Sequence, residues 1–130
     1  EKKVYCIDTG MRNAVAFRFS GDRGRMLENL VLVELLRRKK SVFFFRNPKE
    51  CDFITEEGGR ITGAIQVCHE LLPENREREL AGLVCALEAH GLESGLLLTY
   101  LQEETIRRGG RTITVLPVWK WLISGRDKAA

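Results

Sequence analysis

Apolar and polar positions alternate most cleanly near the C-terminal end of the chain. In "RTITVL" (111–116) the apolar residues first fall two apart, the period of a half-buried strand. "ETIRR" (104–108) lies before it across Gly109-Gly110, so the pattern predicts a β-hairpin. A second hairpin is predicted at Asp52–Thr55 and Ile61–Val67 around Gly58-Gly59, with a strand at Val42–Phe45 before the Asn47-Pro48 break. Leu96–Tyr100 is an unbroken apolar run, as expected of a strand covered on both faces.

Other segments follow helical spacing. Leu80, Leu83, Val84 and Leu87 lie three or four apart, and Gly91 supplies the stop. Upstream, "RGRMLENLVLVELLRRKK" predicts a helix capped by Ser20 or Asp22 and closed by Arg37, Arg38, Lys39 and Lys40, cations that suit the negative end of a helix dipole. Pro117 is expected to start a last short helix, with Val118, Trp119, Leu122 and Ile123 on one apolar face. That phase puts Trp119 in the core and Trp121 at a docking surface or simply at the edge. With a strand at Lys3–Ile7, the predicted order is β, α, β, β, β, α, β, β, β, α. The α-β-β-β-α-β stretch over residues 22–100 predicts an α/β fold: a mixed sheet flanked by helices, with a hairpin and a short helix added at the C-terminal end.

Composition narrows this little. The 130 residues fit one domain, 1–130, and 44% hydrophobic content is enough for a real core. A net charge of +3 is compatible with nucleic acid but does not demand it. Cys6, Cys51, Cys68 and Cys85 are far apart in apolar contexts with no C-x-x-C pair, which argues for buried thiols in a reducing cytoplasm rather than structural zinc. No signal peptide or long apolar span is seen, so no membrane is expected. The chain opens "EKKVYCID" without Met, which suggests a piece of a longer protein.

Three polar residues stand out. Glu28 shares a helix face with Gly24, Val31, Leu32 and Leu35, so it is expected to point toward the sheet, held by a metal, by Arg12 or Arg25, or by a turn. Glu34, beside Arg37 and Arg38, is expected in a solvated ion pair. Asp52 is a residue type that strands disfavour, placed by alternation on the face of Ile54 and opposite to Cys51, Phe53 and Thr55. On the partner strand Thr62, Ala64, Gln66 and Cys68 share a face, and a suitable register brings Gln66 beside Asp52.

A helix Glu, an Asp starting a middle strand and a Val-centred element on the next resemble the PD-(D/E)XK nuclease fold, also termed restriction-endonuclease-like. More closely, "VYCIDTGMRNAVAFRFSGDRGRMLENLVLVELLRR", "ECDFI" and "AIQVCHEL", continued by "GLLLTYLQEETI" and "ITVLPVWKWL", resemble the C-terminal domain of a family of archaeal and bacterial AAA-type ATPases. The resemblance covers nearly the whole chain. It implies a partner in the form of the protein's own N-terminal ATPase domain. This chain has no G-x-x-x-x-G-K-[ST], so it is not expected to bind ATP itself.

In active nucleases of this fold, a strand Asp and a following Glu hold Mg²⁺ or Mn²⁺, and a Lys two residues on assists the attacking water. Carried over by position, Glu28 and Asp52 match acidic positions. Gln66 stands in place of the second strand acid, and Cys68 in place of the Lys. Arg76 and Lys49 are candidates to contact DNA. The resemblance therefore implies a degenerate nuclease-like accessory domain that binds nucleic acid or regulates the ATPase. The alternatives are an active Mg²⁺-dependent DNA nuclease using Glu28 and Asp52, and a structural or oligomerisation domain.

Overall fold

The computed structural model describes residues 23–46 and 50–128. The strand expected at Lys3–Ile7, the caps Ser20 and Asp22, Arg12, Cys6 and Lys49 lie outside them. The elements are α1 (Arg23–Arg37), β1 (Ser41–Arg46), β2 (Glu50–Glu57), β3 (Arg60–Val67), α2 (Arg76–His90), β4 (Ser94–Thr99), β5 (Glu104–Arg108), β6 (Arg111–Pro117) and α3 (Val118–Lys128). Six strands form one mixed sheet in the order β1-β2-β3-β4-β6-β5. Pairings β1–β2, β2–β3 and β5–β6 are antiparallel, while β3–β4 and β4–β6 are parallel. Both hairpins turn on Gly-Gly pairs with positive φ, at 58° and 79° in one and 57° and 76° in the other, a conformation that residues with a Cβ rarely adopt.

Helices cover both faces. On one, Leu80, Leu83, Ala86 and Leu87 of α2 pack on Ile54, Ala64, Leu97, Ile113 and Val115. On the other, Leu27, Val31, Leu32 and Leu35 of α1 join Val118 and Trp121 of α3 over Phe53, Ile65, Val67 and Leu98. Strand β4 feeds both layers, with Leu97 in one and Leu98 in the other, so its continuous apolar run has a direct cause. None of the described helices is long and apolar enough to cross a membrane.

The alternation expected along β2 breaks at its start. Phe43 pairs with Ile54 and Phe45 with Cys51, so two steps on β1 face three on β2 and a bulge falls at Asp52-Phe53. Cys51 therefore packs with Ile54 against α2, while Phe53 packs on the α1 side. The last helix also differs from expectation. Strand β6 runs through Pro117 and pairs it with Thr99, so the helix phase begins at Val118. One turn on comes Trp121, which is 6% exposed, while Trp119 is 53% exposed, the reverse of the expected placement.

Glu34 is a third correction: it is buried rather than solvated. Arg37 donates to it from Nε and Nη2 at 2.9 and 2.7 Å, and Arg38 from Nε at 2.8 Å. Arg38 also donates to the Trp121 carbonyl at 2.9 Å and lies 4.3 Å from the Trp121 ring centre. A Cβ on Gly125 would collide with that guanidinium. The end of α1 is thus clamped to α3 through one carboxylate. Hydrogen bonding from Arg37, helped by Arg38 and opposed by burial, holds the Glu34 carboxyl down at about 2.

The folded pKa lies below the ordinary value of 4.5, so this stabilisation is complete above that pH and drains away as the pH falls toward 2. Because Arg37 is half exposed, screening trims its worth to about 1–3 kcal/mol. Glu34→Gln is expected to lose that stability at pH 7 and to show a flatter melting temperature between about pH 5 and 2. Thermal melts across that range check it.

Candidate functional site

A cleft of about 800 Å³ opens where β3 ends, and it collects residues from four elements. Gly24, Arg25 and Glu28 come from α1, Asp52 from β2, Gln66 and Val67 from β3, and Arg78 and Glu79 from the first turn of α2. Cys68, His69 and Asn75 come from the loop between β3 and α2. The site lies at the C-terminal end of β3, beside the crossover to β4 through α2, where parallel strands leave room for ligands. Glu28, Asp52, Gln66 and Cys68, four separate positions in the sequence, line this one cleft.

The hairpin register that sequence left open is now specific. Phe53 pairs with Ile65 and Ile54 with Ala64. One step further, side chains take over from the backbone ladder. The Asp52 N–H donates to Gln66 Oε1 at 3.0 Å, and the Val67 N–H donates to Asp52 Oδ2 at 2.8 Å. The regular β2–β3 pairing stops at Phe53–Ile65, and beyond it these two side chains accept from the N–H groups of Asp52 and Val67.

That arrangement fixes the orientation of the Gln66 amide. Its oxygen must face a backbone N–H, so its nitrogen points the other way, donating to Glu79 Oε2 at 2.5 Å. Gln66 is 7% exposed, so both ends of the amide are matched, as a buried polar group requires. Glu79 thus belongs to the site, joined to β2 through Gln66. A helical signal could have found it, because Glu79 lies four and seven residues before Leu83 and Ala86, both fully buried.

Mg²⁺ or Mn²⁺ needs convergent oxygen acceptors. The site offers the carboxylates of Asp52, Glu28 and Glu79, but Gln66 has its oxygen on a backbone N–H and presents a donor toward Glu79. Among the described residues no three His, Cys, Asp or Glu side chains form a group able to hold an ion. Cys68 does not stand in for a lysine either. Its thiol donates to the Glu70 carbonyl at 3.1 Å, and burial, with the nearby Glu79 and Asp52 charges, pushes it up to about 11. At neutral pH it is an uncharged thiol. The residues do not fit a two-acid, one-lysine metal centre.

Arg76 does not line the cleft. It forks onto Glu104 of β5, with contacts of 2.9 and 3.2 Å. Arg78, two residues on, is the α2 cation at the cleft; it lies 3.5 Å from Glu79 and is 77% exposed. His69 lies stacked on Tyr100 with ring centres 5.1 Å apart.

Replacing Gln66 with Glu would set a carboxylate against Glu79 and remove the donor between them. Gln66→Glu is expected to lose roughly 1–3 kcal/mol at pH 7, with the loss relieved by acidification and by millimolar Mn²⁺. The wild-type melting temperature is expected not to respond to Mn²⁺. Melts with EDTA or Mn²⁺ check both, and a wild-type protein stabilised by Mn²⁺ would contradict this reading of the site.

Among curated proteins the chain is similar to the uncharacterized protein MJ1544 of Methanocaldococcus jannaschii, at 35% identity over 94% of this chain. The chain spans 29% of the length of that relative. No family model and no solved structure matches it.

Proposed function

We propose that the chain is a degenerate nuclease-like domain, built on a restriction-endonuclease-like core, that serves without catalysis as an accessory module of a larger AAA-type ATPase in the cytoplasm. One observation carries this reading: the Gln66 amide bridges the Asp52 backbone and Glu79 where a nuclease would set a metal ion. The amide holds the Glu79 carboxylate and the Val67 N–H holds that of Asp52, both without a cation, and the neutral Cys68 thiol cannot assist a water nucleophile. The relative's greater length agrees with a domain that works within a longer polypeptide.

A nucleic-acid role is supported by Arg25 and Arg78 beside the cleft. Contact through them would be to phosphates, hence salt-sensitive and indifferent to sequence.

The test is an incubation of the protein with single-stranded, duplex and branched DNA in EDTA, Mg²⁺ or Mn²⁺. The expected result is no cleavage above the EDTA control, with any binding weakening as salt rises. Metal-dependent cleavage that disappears in Glu28→Ala and Asp52→Ala would overturn the proposal in favour of an active nuclease.

A further inference from the structure

Beside the cleft, two loops meet at the C-terminal end of the parallel strands. The residues after β4 are pinned by hydrogen bonds. The Thr99 hydroxyl donates to the Gln102 carbonyl and accepts from the Gln102 N–H, each at 2.9 Å. The Gln102 side chain then clasps the neighbouring loop, accepting from the Leu71 N–H at 2.6 Å and donating to the Leu71 carbonyl at 3.0 Å. The Tyr100 N–H donates to the His69 carbonyl at 3.0 Å. Lys120 of α3 pairs with Glu103 at 2.6 Å, which ties the helix start to the same rim.

This fixed framework turns apolar side chains outward. Leu101 is 67% exposed, Tyr100 and Trp119 are each 53% exposed, and Leu72 is 37% exposed. None of the hydrogen bonds that pin the loops uses these side chains, although the Tyr100 ring also stacks on His69. Large apolar groups held toward water on an ordered support mark an interaction face, because little flexibility is lost when a partner arrives.

Charge selects the partner. Glu70 and Glu74 are exposed on either side of Leu72, and neither forms an ion pair among the described residues. By contrast Glu103 and Glu104 are matched by Lys120 and Arg76. Two unmatched carboxylates repel a phosphate backbone, whatever stacking the Tyr100 and Trp119 rings could offer a base. A two-fold contact between copies would bring these carboxylates toward their own likeness. From this geometry we infer that the rim of Leu72, Tyr100, Leu101 and Trp119 is a docking face for a protein segment carrying apolar anchors beside Lys or Arg. The inference rests on the accessory-module reading and gives that module its contact surface.

The probes are two labelled amphipathic peptides with the same Leu/Trp face, one bearing Lys and Arg at its polar positions and the other Glu. Binding to the 130-residue chain is read by fluorescence anisotropy. The basic peptide is expected to bind about tenfold or more tightly than the acidic one. Leu101→Asp is expected to weaken it by about tenfold or more, and Glu74→Lys to shrink the charge preference, with melting temperatures unchanged in both. Equal binding of the two peptides, binding of neither, or indifference to Leu101→Asp would overturn the inference. So would a single-stranded oligonucleotide that competes for the same surface, or self-association abolished by Leu101→Asp. DNA cleavage together with selective peptide binding would sink the accessory-module reading and leave the docking face standing.

Discussion

The paired hydrogen bonds that join Asp52 to Gln66 and to Val67 set the terms for the rest of the site. Where the β2–β3 ladder stops at Phe53–Ile65, the next backbone groups need other partners, and burial makes going without them costly. Here the Asp52 carboxylate takes the Val67 N–H and the Gln66 carbonyl takes the Asp52 N–H. With the amide oxygen committed, the amide nitrogen is aimed at α2 and captures Glu79. Two strands and a helix are joined by one polar chain, and the Cys68 thiol is left buried near it and uncharged. The same bonds that complete the fold commit the Gln66 oxygen to a backbone N–H and turn its amide donor into the cleft.

Much of the sheet was legible in the chain because its signals are local. Two Gly-Gly turns and the alternation in "RTITVL" locate the hairpins, and the apolar run at Leu96–Leu98 marks the central strand. Features that depend on tertiary context were not legible. The bulge at Asp52-Phe53 appears only when β1 is laid against β2, and it moves Cys51 to the face opposite that expected. The two tryptophans exchange roles because β6 continues through Pro117, which shifts the helix phase. Glu34 reads as a surface acid until Trp121 and Gly125 close over Arg38.

At the candidate site the sequence pointed to Glu28, Asp52, Gln66 and Cys68, and all four line the cleft. It missed the fifth member, Glu79, and put weight on Arg76, which is engaged with Glu104 instead. Both differences come from one helical turn: the buried stripe of α2 carries Glu79 inward. The Gln66 amide sets a hydrogen-bonded link between β2 and α2 in the middle of this cleft.

The most direct test is a backbone amide NMR spectrum of the 130-residue chain recorded with substoichiometric Mn²⁺, a paramagnetic ion that broadens nearby signals. If Gln66 closes the site by hydrogen bonds, the amides of Asp52, Val67 and Cys68 should broaden no more than exposed carboxylate neighbourhoods elsewhere. Selective loss of those three signals, restored in Asp52→Ala at the surviving positions, would show that the ion binds there and would contradict it.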